Sequence, residues 1–396
     1  MKEGNINILF ITHYTGLYGA NKSLLNLLEG IKDYDIEPLI IIPANGDLCD
    51  VLEKKNIPYV IQEFNWWCGV IPKLPTNRLK SIKVKVKNWK LNRHRKKKNL
   101  NNLKLLKQKI VNFKPDFIHS NSSVFNFGLL YGKKYNIPHI WHLRESQEQY
   151  YLKWFYNINY VNKSFKNSEI IIAVSNFLKE NYYKKNKIRN IKVIYNGVLS
   201  YKALLKLDQL RKTKPDNKSE ALVYGIVGLL HPKKGHEEAI RAFSKVNKSY
   251  PKTKLLIVGE GDQGRLRNLV NDLGITKNVE FWGHISDPFQ AFLKMDVCLM
   301  CSRMEGLGRV TIEAMASNIP VIGYKEGGTI EIIQENITGL FYEIDYNYLA
   351  EKMVYLIENK ELRIKMGNKG RELFELKYTS EIYAKNFMEI LENYKK

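Results

Sequence analysis

Residues 296–324 have the sequence DVCLMCSRMEGLGRVTIEAMASNIPVIGY and contain one complete strand–loop–helix–strand unit. The run DVCLMCS is short and apolar, as expected of a buried parallel strand, and it leads into a loop with Gly306 and Gly308. A helix that carries Glu313 comes next, and PVIGY has the length of a second strand. Because parallel neighbours need a crossover of this kind, the stretch predicts a βαβ unit.

The same alternation extends through both halves of the chain. In the C-terminal half, ALVYGIVGLL, KLLIVGEG and VEFWG are strand-length runs separated by helix-like segments, which predicts a Rossmann-like domain over residues 221–380. In the N-terminal half, INILFIT (residues 6–12), PLIIIP, DFIHS, HIWHL and EIIIAVS follow the same rule and predict a second such domain over residues 1–198.

The remaining segments complete the predicted architecture. Residues 199–220 are polar and predict a linker, and residues 381–396 predict a helix that packs back on the N-terminal domain. The predicted fold class is α/β, with two Rossmann-like doubly wound domains that face each other across a cleft. Because such sheets bind ligands beyond the carboxyl ends of their strands, the strand-to-helix loops are where a site is expected.

Charge and composition restrict the partners and the compartment. Of 396 residues, 63 are Lys or Arg and 40 are Asp or Glu, and the net charge of +23 favours anionic partners. The four cysteines are too scattered for a disulfide scaffold, and no apolar run reaches the roughly 20 residues of a membrane span. We therefore expect a cytoplasmic protein with, at most, peripheral contact at the inner face of the cell membrane.

Two carboxylates, Glu305 and Glu313, lie eight positions apart around the Gly306–Gly308 loop of the quoted stretch. Glycines let backbone N–H groups approach a ligand closely, and a helix N-terminus favours phosphate or sugar oxygens. Both carboxylates can then address one bound molecule. The alternative is that Glu313 caps or pairs on the surface while Glu305 is solvated.

The motifs around this pair resemble those of the retaining glycosyltransferases of family 4, which have the GT-B fold and an E-x7-E signature matched by Glu305 and Glu313. Six segments of the C-terminal half carry the resemblance in the family's order: VGLLHPKKG, LLIVGEGD, VEFWGHISD, EGLGRVTIEAMAS, PVIGYKEGGTIEII and TGLFY. The N-terminal match is weaker and lies in GLYGANKSLLNLL, HLRE, AVSNFLKE and VIYNGV.

The resemblance implies two catalytic candidates and a set of donor-binding residues. Glu305 and His142 would contact the transferred sugar, and Glu313 would accept hydrogen bonds from the ribose hydroxyls of a nucleotide. The nucleotide sugar would also be held by Gly19 and Lys234 at the diphosphate, by the backbone of Gly306, Leu307, Gly308 and Arg309, and by His284 and Ile285 at the base. No metal and no further cofactor are expected.

One position departs from the family pattern. The family motif usually reads Gly-Arg-Leu where this chain has Gly228-Leu229-Leu230, so the usual phosphate-binding arginine is Leu229. Loss of one cation costs on the order of 1–3 kcal/mol of charge-assisted hydrogen bonding unless it is replaced. Lys233 or Arg309 is the expected replacement; without one, a slow enzyme is expected.

A strongly basic segment covers about residues 66–114. It has no acidic residue, and Trp66, Trp67, Val86 and Trp89 are among the apolar residues interleaved with its lysines and arginines. This composition predicts an amphipathic arm on an anionic membrane surface, with a merely solvated basic face as the alternative. Nucleic-acid binding is not expected, since no nucleic-acid motif accompanies the charge.

The sequence as a whole indicates a retaining glycosyltransferase. It is expected to move a sugar from a UDP- or GDP-sugar to a glycan or lipid-linked acceptor, in the synthesis of a bacterial surface polysaccharide. The alternatives are a non-catalytic GT-B scaffold and a nucleotide-sugar epimerase.

Overall fold

The computed structural model describes residues 5–70, 78–146, 152–212 and 221–395. The chain divides into two compact units. Unit 1 contains the chain up to Tyr195 together with the residues from Ala384 onward, and unit 2 runs from Asn196 to Tyr383. Among the described residues, no helix combines the length and the apolar character that a membrane crossing requires.

Unit 1 is built on a parallel sheet. Its described strands are β1 (Ile6–Ile11), β2 (Ile36–Ile42), β3 (Tyr59–Ile61), β4 (Cys68–Val70), β5 (Phe117–Ser120), β6 (His139–Leu143), β7 (Leu152–Trp154), β8 (Ile170–Ala173) and β9 (Lys192–Val193). Strands β4 and β7 form a separate antiparallel pair, and the other seven described strands form one parallel sheet in the order β3-β2-β1-β5-β6-β8-β9. The chain reverses direction across the sheet between β1 and β5, which makes the carboxyl ends of these two strands the switch point.

Helices cover the sheet of unit 1. They are α1 (Gly19–Gly30), α2 (Asp47–Lys54), α3 (Arg78–Lys109), α4 (Phe127–Tyr135), α5 (Ile158–Lys166) and α6 (Asn176–Asn186). The central strand shows the result, because Ile8, Leu9, Phe10 and Ile11 are all fully buried. Side chains of both orientations are covered in this way only when both faces of a sheet are packed.

Unit 2 repeats the architecture. Its described strands are β10 (Val223–Val227), β11 (Lys254–Val258), β12 (Val279–Gly283), β13 (Val297–Met300), β14 (Val321–Tyr324) and β15 (Gly339–Tyr342). They form a parallel sheet in the order β12-β11-β10-β13-β14-β15, with its switch point between β10 and β13. The quoted stretch supplies β13, a helix and β14, so the predicted βαβ unit and the prediction of two doubly wound sheets are confirmed.

The helices of unit 2 include one in the segment for which we predicted a linker. They are α7 (Tyr201–Lys212), α8 (His236–Ser249), α9 (Gly264–Asp272), α10 (Phe289–Phe292), α11 (Arg309–Ala316), α12 (Thr329–Ile332), α13 (Tyr346–Glu358) and α14 (Lys360–Lys377). In α7, Leu204 and Leu207 are buried, and Asp208 accepts hydrogen bonds of 2.8 and 2.7 Å from the guanidinium of Arg371. Residues 201–212 of the predicted linker are therefore a packed helix; residues 213–220 lie outside the described part.

The last helix, α15 (Ser380–Lys395), contributes most of its length to unit 1. The ring of Phe387 lies 5.7 Å from that of His119, and the ring of Tyr394 lies 5.7 Å from that of Phe117, measured between centroids. The C-terminal segment thus packs against β5.

The basic segment 66–114 is not one continuous arm. Trp67 is 1% exposed and stacks on Trp141 with ring centroids 5.3 Å apart, so it belongs to the core of unit 1 and cannot face a membrane. The second half of α3 also packs inward, since Leu103 and Leu106 are fully buried. Exposed apolar side chains remain in the first half of α3, and residues 71–77 lie outside the described part.

Candidate active site

The loop between β13 and α11 positions Glu305 through close backbone packing. Gly327 and Gly328, which follow β14, lie against this loop, and the N–H of Gly328 donates a 2.8 Å hydrogen bond to the carbonyl oxygen of Glu305. A Cβ atom at Gly327 would lie 2.8 Å from the backbone nitrogen of Glu305, which is too close for any side chain. Gly308, with φ of 88°, then turns the chain into α11.

The carboxylate of Glu305 is held by two side chains. Lys234, from the turn after β10, forms an ion pair with its Oε1, and the hydroxyl of Ser302 donates a 2.6 Å hydrogen bond to the same oxygen. Glu305 is only 9% exposed. The alternative of a solvated Glu305 is therefore wrong. The turn that carries Lys234 and the loop that carries Gly306 and Gly308 meet at this carboxylate.

Glu313 is also paired within the site. On α11, the Nε of Arg309 donates a 2.9 Å hydrogen bond to Oε1 of Glu313, and the two side chains are 16% and 6% exposed. The alternative of a surface pair is right about the pairing and wrong about the surface, because this pair is largely buried. The structure thus pairs each of the two predicted carboxylates with a cation, Glu305 in the loop after β13 and Glu313 on α11.

Leu229, which stands where the family usually has an arginine, has an exposed apolar side chain. Leu229 follows Gly228 at the carboxyl end of β10 and is 40% exposed, whereas Lys233 is half-buried. The carbonyl oxygen of Lys233 accepts a 3.3 Å hydrogen bond from the backbone N–H of Arg303. Lys233 is therefore tied by its backbone to the loop that carries Glu305.

The predicted base-binding loop lies at the same edge of the sheet of unit 2. Gly283 ends β12 with φ of 69°, and its carbonyl oxygen accepts a 2.8 Å hydrogen bond from the N–H of Gly259. His284 is exposed, while Ile285 packs against a buried apolar cluster that includes Val258 and Met300. Because all strands of this sheet are parallel, residues 283–285 lie at the carboxyl edge along with the loops after β10 and β13.

In unit 1, His142 lies at the end of β6 and is fully buried. Its Nδ1 is 3.1 Å from Nε2 of His119 and 3.4 Å from Nη2 of Arg144. Because a guanidinium can only donate, Nδ1 of His142 acts as an acceptor, which assigns the ring N–H of His142 to Nε2 and makes His119 a donor. Burial, followed by the charge of Arg144, lowers the pKa of both histidines well below the usual value, so both rings are neutral.

Further polar groups lie at the switch point of unit 1. Glu145 accepts hydrogen bonds of 3.1 Å from the N–H and the hydroxyl of Ser123, and burial raises the pKa of its carboxyl group. His13 lies 4.0 Å from Glu145, and burial, aided by Arg144, lowers its pKa to about 3. These groups form a buried polar cluster at the ends of β1, β5 and β6.

Gly19, the first residue of α1, is exposed, and a Cβ atom there would meet nothing within 4 Å. Packing inside the chain therefore does not require a glycine at this position. The contact of Gly19 with a diphosphate stays a prediction.

Sequence reasoning missed Ser302 and His119. Ser302 ends the run DVCLMCS, three residues before Glu305. His119 is the second-to-last residue of DFIHS, on the strand next to that of His142. Parallel neighbours place their carboxyl ends side by side, so the position of His119 carried a usable signal. The side-chain direction of Ser302 carried none, because it depends on the loop conformation.

Comparison with known proteins identifies the family. Residues 208–373 match the model of the glycosyl transferases group 1, and residues 18–199 match the model of glycosyltransferase family 4. The capsular polysaccharide biosynthesis glycosyltransferase CapM of Staphylococcus aureus is 30% identical over 221 residues, which cover 54% of this chain and 58% of CapM. The chain thus matches little more than half of the length of that relative.

Two further matches extend over more of the chain. An uncharacterized glycosyltransferase of Methanocaldococcus jannaschii, MJ1178, is 31% identical over 277 residues, which cover 67% of this chain and 72% of the relative. The crystal structure of Anabaena Alr3699/HepE in complex with UDP and glucose covers 98% of this chain and 100% of its own with a TM-score of 0.74, at 20% identity, and so shares the fold. With both sheets, both family models and these relatives in agreement, the chain belongs to glycosyltransferase family 4 and has the GT-B fold.

Proposed function

We propose that this protein is a retaining glycosyltransferase that moves a sugar from a nucleotide diphosphate to a glycan or lipid-linked acceptor. The observation that carries the proposal is the pairing of Glu305 with Lys234 and of Glu313 with Arg309 beside the N-terminus of α11. Carboxylates bind the hydroxyl groups of ribose and sugar, and the cations and the helix N-terminus bind phosphate.

The proposed roles follow from the chemistry of the leaving group. Negative charge develops on the diphosphate as the sugar leaves, and Lys234 together with the N–H groups at the start of α11 would stabilise it. Glu313 would hold the ribose, and Glu305 the hydroxyl groups of the transferred sugar. His142, with its N–H on Nε2, would donate a hydrogen bond to a sugar oxygen.

Retention of configuration is proposed without a covalent intermediate. Oε1 of Glu305 is already engaged by Lys234 and Ser302, so this oxygen would have to give up both contacts before it could attack the sugar. Attack by the acceptor on the same face of the sugar, with the diphosphate still in place, requires no protein nucleophile. NMR of the product determines the anomeric configuration, and an inverted product would contradict this part of the proposal.

A donor panel tests the function. The protein is incubated with UDP- and GDP-sugars, and thermal stabilisation and released nucleotide are measured for wild type, Glu313→Ala and the control Glu351→Ala, which alters an exposed residue of α13. The proposal expects one nucleotide sugar to stabilise wild type and the control, with the effect lost in Glu313→Ala. No response to any donor would favour the non-catalytic scaffold, and interconversion of the donor sugar without transfer would favour the epimerase.

The exposed face of α3 supports a peripheral membrane role. Ile82, Val86 and Trp89 recur at helical spacing and are 49%, 48% and 59% exposed. Arg93, one turn beyond, has its guanidinium 5.6 Å from the ring of Trp89, and the neighbouring lysines, Lys83, Lys87 and Lys90, are exposed. An apolar stripe flanked by cations is the composition that binds anionic bilayers. We propose that this face docks the enzyme on the inner leaflet, where a lipid-linked acceptor is available.

Vesicle flotation tests the docking surface. Wild type is expected to float with vesicles that contain anionic lipid and to remain unbound with neutral ones. Val86→Ser combined with Trp89→Ser should abolish flotation, whereas Leu105→Ser, which alters a similarly exposed apolar residue in the second half of α3, should not. Equal binding to both kinds of vesicle, or equal loss in both variants, would contradict the proposal. The CapM relative supports a surface polysaccharide as the product class.

A further inference from the structure

An exposed tryptophan borders the buried polar cluster of unit 1. Trp66 is 39% exposed, whereas the next residue, Trp67, is 1% exposed. The indole N–H of Trp66 donates a 3.1 Å hydrogen bond to the carbonyl oxygen of His13, and the centroids of the two rings lie 5.4 Å apart. This tryptophan is therefore held at the surface by its polar end, with its ring beside the imidazole of His13.

A gap separates the side chains of His13 and Glu145. Nε2 of His13 lies 4.0 Å from Oε1 of Glu145, which is too far for a hydrogen bond. Both hydrogen bonds from Ser123 go to Oε2, and a carboxylate has about four acceptor sites, so Glu145 can accept a further donor. Nδ1 of His13 is buried and has no hydrogen-bond partner in the described part of the chain. Because a buried N–H group is rarely left unpaired, the ring proton belongs on Nε2, which faces Glu145.

A hydroxyl group matches this gap in size and in hydrogen-bonding capacity. Its oxygen atom can lie about 2.8 Å from both Nε2 of His13 and Oε1 of Glu145. It can accept from the first and donate to the second, because a hydroxyl group has one donor and two acceptor sites. Burial raises the pKa of the Glu145 carboxyl group, and the charge of Arg144 opposes this effect. Since His13 is neutral and the charges of Glu145 and Arg144 balance, a neutral ligand leaves no charge uncompensated.

A sugar ring combines the two features that this place in unit 1 can recognise. The edge of the ring carries hydroxyl groups, and its face carries C–H bonds whose positive ends are attracted to the negative face of an aromatic ring. Ligand sites commonly combine aromatic surface with a few well-placed polar groups. The hydroxyl group of a simple alcohol would use His13 and Glu145 and leave Trp66 without a role.

We propose that unit 1 binds the acceptor as a neutral sugar ring that packs on Trp66 and places one hydroxyl group between His13 and Glu145. The inference rests on the proposed function and names the acceptor class, a sugar rather than a lipid alcohol. The ring of Tyr14 supports the site, because it lies 4.1 Å from that of His13 and holds the imidazole in its orientation. A glycan and the head group of a glycolipid both present such a ring.

Saturation-transfer NMR without a donor tests the proposal. The probes are the methyl glycosides of glucose, galactose, mannose and N-acetylglucosamine, with glycerol as a probe that has hydroxyl groups and no ring. Wild type is expected to bind at least one glycoside and not to bind glycerol. Trp66→Leu keeps apolar bulk without an aromatic face and should weaken that glycoside about tenfold, whereas Trp66→Phe should weaken it by less than about threefold. The dodecyl glycoside of the same sugar identifies the source: a glycolipid if it binds more tightly than the methyl glycoside, and a glycan if the affinities are equal.

Further variants separate sugar binding from general damage. Glu145→Gln should weaken the glycoside about tenfold, because the charge-assisted hydrogen bond to the hydroxyl group is lost. Tyr355→Leu alters an aromatic residue of α13 that is 44% exposed, and it should leave the glycoside affinity unchanged. The affinity for the nucleotide that wild type binds, UDP or GDP, should be the same in all four variants. If Glu145→Gln fails to fold, the comparison of Trp66→Leu with Trp66→Phe decides the outcome.

Failure of the inference is distinguishable from failure of the proposed function, because sugar binding is measured without a donor. Wild type that binds none of the glycosides, or that binds glycerol equally well, overturns the inference and leaves the transferase proposal intact. Equal effects of Trp66→Leu and Trp66→Phe also overturn it. Wild type that binds a glycoside through Trp66 but binds neither UDP nor GDP overturns the proposed function and supports the sugar site.

Discussion

Gly327→Ala provides a quantitative test of how the loop around Glu305 is held. Gly327 has φ of 69°, and Gly274, in the turn after α9, has φ of 71°. Their surroundings differ: a Cβ atom at Gly274 meets nothing within 4 Å, whereas one at Gly327 would lie 2.8 Å from both the nitrogen and the oxygen of Glu305. The two glycines therefore separate backbone strain from steric contact.

The expected magnitudes follow from these two terms. Alanine in the left-handed region costs about 1 kcal/mol at either position. At Gly327 the contact with the backbone of Glu305 adds about 1–3 kcal/mol, because backbone atoms cannot move aside as a flexible side chain can. We expect Gly274→Ala to lower the free energy of unfolding by about 1 kcal/mol and Gly327→Ala to lower it by about 2–4 kcal/mol.

Urea denaturation measures the stability, and calorimetry with UDP and GDP measures donor affinity on the same samples. The displaced loop in Gly327→Ala should also weaken the nucleotide that wild type binds, while Gly274→Ala should leave it unchanged. Equal destabilisation in the two variants would refute the steric argument. A destabilised Gly327→Ala with full affinity would refute the link between this contact and the donor site.

Three further changes test individual side chains. Ser302→Ala removes a hydrogen bond to Glu305 and should lower the rate of nucleotide release about tenfold. The control is Ser317→Ala, which should leave the rate unchanged because, among the described contacts, the Ser317 hydroxyl bonds only to the backbone oxygen of Glu313. Equal effects of the two changes would contradict the role of Ser302. His119→Phe, with Phe10 and Phe387 as neighbours, should fold but lower kcat/KM about tenfold, and an unchanged value would exclude orientation of His142 by His119. The pKa of His13 is about 3 in the folded protein, below the value of 6.5 in the unfolded chain. As the pH falls, the unfolded state therefore binds more protons than the folded state, and the free energy of unfolding decreases below about pH 6.5. His13→Phe should therefore gain about 2 kcal/mol relative to wild type between about pH 7.5 and about pH 5, and a constant difference in unfolding free energy would contradict the lowered pKa.

The fold was predictable because its signals are local and repeated. Each of the main strands of both sheets corresponds to a short apolar run, and helix-length segments separate most of these runs. The elements that we did not predict have no such repeated local signal. The pair β4 and β7 consists of three-residue strands far apart in the chain, and α7 is a polar helix whose buried leucines are defined only by their contacts.

The basic segment shows the limit of composition. Trp66, Trp67 and Trp89 look alike in a run of lysines, yet they are 39%, 1% and 59% exposed. Trp67 packs on Trp141, which lies on a strand more than 70 positions away. Since burial of a side chain depends on such distant partners, composition indicates that a surface exists and the tertiary structure decides which residues form it.

By itself, the sequence determined the α/β class, the two Rossmann-like domains, the family, and the candidate residues at the carboxyl ends of the strands, because periodicity and motif order are properties of neighbouring residues. Only the tertiary structure decided that Glu305 pairs with Lys234, that Glu313 pairs with Arg309, and that His142 contacts His119. Spacing along the chain indicates which side chains can come into contact. Which of them do meet, and whether water is excluded from the pair, depends on how loops from different strands pack, and that packing sets the strength of every charge interaction in the site.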